Sequence, residues 1–191
     1  MLYIVRHGQT ELNSAQVLQG SSDQPLDEQG IEQARVVAQA LADRGISFSH
    51  VYSSQLTRAM QTARILAPET AIDTDERLLE MHYGPFEGAD LTDLPPELKT
   101  FFSDFVNNPA PEGMEQLPDV VARVGTFIED IRGEEGDVLI STHAIAMKGI
   151  LEYLTPDSNG SYWAKFIGNC AVYAAKTDGT GIGIPFELHL A

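Results

Sequence analysis

The chain has 191 residues, 43% of them apolar, and carries 28 acidic against 12 basic side chains for a net charge of −16. That length and apolar share accommodate a packed core without disulfides or structural metals, and they exclude a disordered chain. The acidic balance excludes partners that bind through clustered Lys and Arg, nucleic acid and anionic membrane surfaces among them, and no run of about 18 apolar residues is present to span a bilayer.

Leu2 to Val5 is a short continuous apolar run that predicts a strand buried on both faces. After a polar loop, Ile31, Ala34, Ala38 and Leu41 recur at helical spacing, and Gly45 is placed to stop that helix. Val51 and Tyr52 predict a second strand. Leu56, Ala59, Met60, Ala63 and Leu66 predict another amphipathic helix, closed by Pro68, and Ala71-Ile72 begins a third extended piece. Leu117, Val120, Val121, Val124, Phe127 and Ile131 place a helix over about 115–132. Val138-Leu139-Ile140 is bounded by Gly136 and Asp137 and reads as a strand, followed by a helix from Ile145 to Leu154 before Pro156. Ala171 to Ala174 and Phe186 to Leu190 are the last expected strands. Strands alternating with helices imply one α/β domain over residues 1–191, a three-layer α/β/α sandwich around a mostly parallel sheet.

Residues 84–113 break that rhythm. They hold Pro85, Pro95, Pro96, Pro109 and Pro111 together with Phe86, Phe101, Phe102 and Phe105, which predicts an insertion carrying a short apolar helix. A packed surface excursion and a lid over a site are the two readings of it. The apolar start is broken at once by Arg6 and His7, so no signal peptide is expected, and the single cysteine, Cys170, fits a reducing cytoplasm as a buried small hydrophobe.

In open α/β sheets, ligands bind beyond the carboxyl ends of strands. The first strand runs into Arg6-His7-Gly8, the second into Ser53-Ser54 with Arg58 a turn later, and the strand at 138–140 into Ser141-Thr142-His143. Each signal alone has a bland reading, a hydrogen-bonded structural histidine or a solvated helical arginine. Three basic loops at three strand ends in a chain so poor in basic residues point to one anion-binding mouth.

Those residues also carry a family resemblance. Arg6-His7-Gly8 with Asn13, the stretch Ser53-Ser54-Gln55-Leu56-Thr57-Arg58-Ala59-Met60-Gln61-Thr62-Ala63, then Glu80 and His143, resemble the histidine phosphatase superfamily, also called the phosphoglycerate mutase-like family. Gly20, Asp23, Pro25-Leu26, Gly30 and the run Gly113 to Leu117 are similar to further landmarks of that family. The resemblance implies His7 as nucleophile, Arg6, Arg58 and His143 as ligands of the phosphoryl group, and Glu80 as proton donor, with no cofactor and no metal.

The residue types suit that chemistry. A phosphate monoester carries about −1.5 to −2 charges, which planar guanidinium forks and a protonated His143 can match. Neighbouring cations oppose protonation of His7 and keep its imidazole nucleophilic. A bound phosphate beside Glu80 favours a protonated carboxyl for the leaving group. Asn13 and backbone N–H groups around Gly8 and Gly20 are expected to complete the cradle. A magnesium-dependent reading of Asp73-Thr74-Asp75 is disfavoured by Glu76 and Arg77, and His50, His82 and His189 lack zinc-ligand spacing.

Between Gly84 and Gly113 the only cation is Lys99. The family's mutases hold a substrate carboxylate with basic residues there, so a metal-independent phosphomonoesterase acting on a small phosphorylated metabolite is the expectation. Phe86-Glu87-Gly88 resembles the Trp-Glu-Gly of the phosphatase branch. Phosphoglycerate mutase is the alternative, a non-catalytic phospholigand-binding module a more distant one, and a homodimer is compatible with the sequence.

Overall fold

A computed structural model describes residues 1–178 and 181–190. Six strands form one sheet: β1 (Leu2–Arg6), β2 (His50–Ser53), β3 (Ile72–Thr74), β4 (Val138–Thr142), β5 (Val172–Ala175) and β6 (Phe186–Glu187), in the order β3-β2-β4-β1-β5-β6. The helices are α1 (Glu11–Ser14), α2 (Glu28–Asp43), α3 (Thr57–Leu66), α4 (Pro96–Ser103), α5 (Leu117–Ile131) and α6 (Ala144–Leu154).

The continuous apolar runs sit in the middle of the sheet because both of its faces are covered. Successive side chains of a strand point to opposite faces. Leu2, Ile4, Val138, Ile140 and Tyr173 pack with Phe127 and Ile128 of α5 and Ile150 of α6. Tyr3, Val5, Leu139, Val51 and Val172 pack with Val37 and Leu41 of α2 and Ala63 and Leu66 of α3. This is the expected three-layer α/β arrangement.

The expected parallel pairing holds for β3 with β2, β2 with β4, and β4 with β1, but not for the last two strands. With β4 on one edge of β1, β5 takes the other edge antiparallel, and β6 folds back antiparallel on β5. The strand expected over 186–190 is limited to Phe186–Glu187; Leu188 still donates its N–H to the Val172 carbonyl at 2.8 Å, and Leu188 and Leu190 pack on the α2 side of the core. The predicted polar loop after β1 contains α1, a single turn closed by a capping box between Thr10 and Asn13. It buries no residue and so leaves no apolar periodicity to detect. Gly45 ends α2 as expected: at φ +70° its N–H donates to the Ala42 carbonyl, while Ile46 N–H donates to Leu41.

The segment 84–113 builds its own apolar cluster. Leu98 and Phe101 of α4 are buried with Leu18, Met81, Tyr83, Ile145 and Trp163, and the rings of Phe101 and Phe105 meet edge to face with centroids 4.8 Å apart. The excursion is pinched at its neck, where Gly84 at φ +53° touches Gly113, leaving no room for a Cβ against the Gly113 carbonyl. The Gly84→Ala variant is therefore expected to lose about 1–3 kcal/mol of stability, from left-handed strain and overpacking. Urea unfolding should show this as a lowered midpoint at unchanged slope.

Candidate active site

Because β2, β4 and β1 are adjacent and parallel, their carboxyl ends open side by side. Arg6 ends β1, Ser53 ends β2 and Thr142 ends β4, so the three basic loops singled out by sequence meet at one place. The sharp turn after β1 needs close approach. Gly8 packs against Gly30 at the start of α2 with no space for a Cβ on either residue.

Arg58 lies at the centre. It is in the first turn of α3, has no exposed surface, and distributes its guanidinium over four partners. Nε lies 3.2 Å from His7 Nε2 and 3.1 Å from His143 Nδ1, donating between the two rings. Nη1 donates to the Ser22 carbonyl at 2.6 Å and Nη2 to the Gly20 carbonyl at 2.7 Å. Those carbonyls belong to a strap over 20–23 that is tied down on both sides. Asp23 accepts from Thr57 N and Oγ1 at the start of α3, and the Glu87 carboxylate accepts from the Gly20 and Ser21 N–H groups.

The partners decide the tautomers. His7 Nδ1 is 2.7 Å from the Gly8 carbonyl, which can only accept, so Nδ1 carries the proton and Nε2 presents its lone pair toward Arg58. His143 accepts at Nδ1, so its Nε2 donates to Ser54 Oγ at 2.8 Å. The rings stand edge to face with centroids 5.1 Å apart. Burial first, then the charges of Arg6 and Arg58, hold His7 well below the usual histidine range. Burial followed by Arg58 does the same to His143. Both rings are thus held neutral by their protein surroundings.

Arg6 is anchored through Nη1 to the Ile167 carbonyl at 2.6 Å. Its Nε is buried without a hydrogen-bond partner among the described residues, as is the side-chain nitrogen of Gln19, a residue the sequence did not single out. Glu80 sits against the amino terminus of α6, where its carboxylate accepts from the N–H groups of Met81, Ile145 and Ala146 at 2.9–3.1 Å. A helix start is a natural seat for a carboxylate. Its charge is felt by both Arg6 and Arg58.

Two expected cradle donors are otherwise engaged. Gly8 N–H donates to Thr62 Oγ1 at 3.1 Å and Gly20 N–H to Glu87, so these glycines shape the loops rather than offer free donors. Asn13 is drawn in through Asn169, whose Nδ2 donates both to Asn13 Oδ1 and to the His7 carbonyl. Asn169, Ser54, Thr62 and Glu87 carried no sequence signal as supports, because each acts through a partner distant in the chain. The remaining candidates take the bland reading: Asp75 binds Arg77, His50 pairs with Glu134, and burial pushes the Cys170 thiol up to about 12.

A family model described as histidine phosphatase superfamily (branch 1) matches residues 2–185. A probable phosphoglycerate mutase of Yersinia pestis is 40% identical over 124 residues, which cover 61% of this chain and only 57% of that protein's length. A solved phosphoserine phosphatase of Entamoeba histolytica shares the fold, with a TM-score of 0.82 and 24% identity over 98% of this chain and 94% of that one. A mycobacterial glucosyl-3-phosphoglycerate phosphatase is similar at 26% identity and a TM-score of 0.80, covering 97% of this chain and 96% of that one.

The buried neutral histidines have a thermodynamic consequence. Below pH 6.5 the unfolded chain protonates both rings while the folded chain does not, so stability falls as pH drops. The urea midpoint is expected to decrease between about pH 7 and 5, and a folded His7→Asn/His143→Asn double variant should show a flatter dependence.

Proposed function

Because the chain belongs to the histidine phosphatase superfamily, branch 1, we propose that it is a phosphomonoester hydrolase working without a metal through a phosphohistidine on His7. The observation that carries this reading is the tautomer of His7. Its Nδ1–H is committed to Gly8, and its unprotonated Nε2 lies beside the Arg58 guanidinium, with Arg6 at the end of the same strand.

Nε2 attacks phosphorus, and the bond from phosphorus to the ester oxygen breaks in line. Arg6 and Arg58 balance the charge on the transferring oxygens, and His143, held by Ser54, donates after taking a proton from solvent, its imidazolium favoured by the negative charge of the bound ester. Glu80, a carboxylate before the ester binds, takes a proton from solvent as the phosphoryl charge settles beside it and gives that proton to the leaving oxygen. In the second half, water loses a proton to Glu80 and attacks the phosphohistidine. The nitrogen–phosphorus bond breaks, inorganic phosphate leaves, and the enzyme is restored.

The name of the Yersinia relative favours a second reading, phosphoglycerate mutase. Against it stands the segment 84–113, whose single cation, Lys99, is largely exposed beside Asp93 while its phenylalanines pack inward. A phospholigand-binding module without turnover would leave the unprotonated Nε2 of His7 unused.

Hydrolysis of a panel of phosphomonoesters in excess chelator decides among these readings. Full activity with chelator, a burst of acid-labile, alkali-stable phosphate on the protein, and its loss in His7→Ala are expected. Rapid interconversion of 3- and 2-phosphoglycerate would establish the mutase, and loss of all hydrolysis in chelator would exclude the mechanism.

A further inference from the structure

Lys148 is a charged residue in a turn of α6 where Ile145, Ala146, Met147, Gly149, Ile150 and Leu151 are all buried. It is itself only 8% exposed. Burying an ammonium is costly, and an unbranched apolar side chain would fill the same space without that cost. What holds the charge there comes from two segments outside the sheet. Nζ donates to the Trp163 carbonyl at 2.8 Å and lies 5.2 Å from the centroid of the Phe105 ring. Phe105 belongs to the 84–113 excursion and Trp163 to the loop after α6, and their ring centroids are 6.5 Å apart.

Both sides of that junction reach the catalytic groups. The loop that contains Trp163 continues to Ile167, whose carbonyl takes Arg6 Nη1, and to Asn169, whose amide donates to the His7 carbonyl. The helix that contains Lys148 supplies the Ile145 and Ala146 N–H groups that hold Glu80. One ammonium therefore joins the helix that seats Glu80 to the loop that seats Arg6 and His7.

We propose that Lys148 is a positioning residue: its ammonium pins the 159–169 loop and Phe105 against α6, and so sets Arg6 and His7 relative to Glu80. The kinetic part rests on the phosphoryl-transfer reading above, whereas the pin does not. The charged groups that face Nζ are Glu80, which favours the ammonium, and Arg6, which opposes it. Phe105 and Trp163 bring no charge. Burial outweighs both charges and lowers Lys148 to about 8, so the pin weakens above that pH as the amine loses its attraction to the ring and most of its donor strength.

Trp163 is the only tryptophan of the chain, so its emission reports on the junction directly. Wild-type emission is expected to change with a midpoint near pH 8, Lys148→Met to be flat over that range, and Lys148→Arg to keep the low-pH emission throughout. With a phosphomonoester, kcat/KM should fall about 10- to 100-fold in Lys148→Met, the scale of loss expected when catalytic groups are displaced by about 1 Å, and recover most of that in Lys148→Arg. The alkaline limb near pH 8 should vanish in Lys148→Met. A folded Lys148→Met protein whose Trp163 emission matches wild type near pH 7 overturns the pin, and wild-type emission that does not change between about pH 7 and 9 overturns its pH dependence. A folded Lys148→Met protein with wild-type kcat/KM and an unaltered alkaline limb overturns the positioning role. If the wild-type protein hydrolyses no phosphomonoester, the functional reading fails while the emission of wild type against Lys148→Met still decides the pin.

Discussion

The guanidinium of Arg58 is fully buried, and most of the site is arranged to make that tolerable. A buried charge is kept only where its donors are satisfied. Here each guanidinium nitrogen has a partner: Nη2 and Nη1 donate to the Gly20 and Ser22 carbonyls, and the Nε–H is shared between the rings of His7 and His143. The strap that supplies the carbonyls is fixed by Asp23 and Glu87, and the β1 loop is fixed by the close contact of Gly8 with Gly30. Moving any of these pieces leaves an uncompensated charge at the bottom of the mouth.

That constraint also sets the chemistry. Burial, reinforced by the neighbouring arginines, holds both rings neutral, and the Gly8 carbonyl selects which nitrogen of His7 keeps its proton. In the proposed reaction the free lone pair at Nε2 is thus a consequence of packing rather than of a separate general base. The same locality reconciles a net charge of −16 with the anionic substrate proposed. At about 4 Å a charge pair is worth roughly 4 kcal/mol at an effective dielectric of 20, while carboxylates beyond about 8–10 Å are largely screened at physiological salt. The acidic exterior discourages polyanions, and the buried cations decide what happens at the mouth.

The central strands, the large helices and the convergence of Arg6, His7, Arg58 and His143 were legible because they leave periodic or positional marks: apolar runs at 2–5 and 138–140, a glycine stop at Gly45, basic residues directly after strands. Glu80 was legible only through the family resemblance, since beside Arg77 it otherwise reads as a solvated carboxylate. The antiparallel β5 and β6 were not legible, because their direction depends on which edge of β1 is free after β4 has paired. Lys148 was invisible for a different reason. A lysine on a helix reads as a solvated face, and only the packing of Phe105 and Trp163 over α6 shows that it is enclosed. Asn169, Glu87 and Thr62 support the site across more than 50 residues of sequence, a relation that no local pattern encodes.

The protonation state of His7 is the point on which the chemistry turns, and nitrogen-15 NMR of the imidazoles in the ligand-free protein near neutral pH reads it directly. A neutral ring with a protonated Nδ1 and a bare Nε2 is expected for His7, and the opposite tautomer, also neutral, for His143. An imidazolium at His7, or a proton on its Nε2, would contradict the arrangement described here.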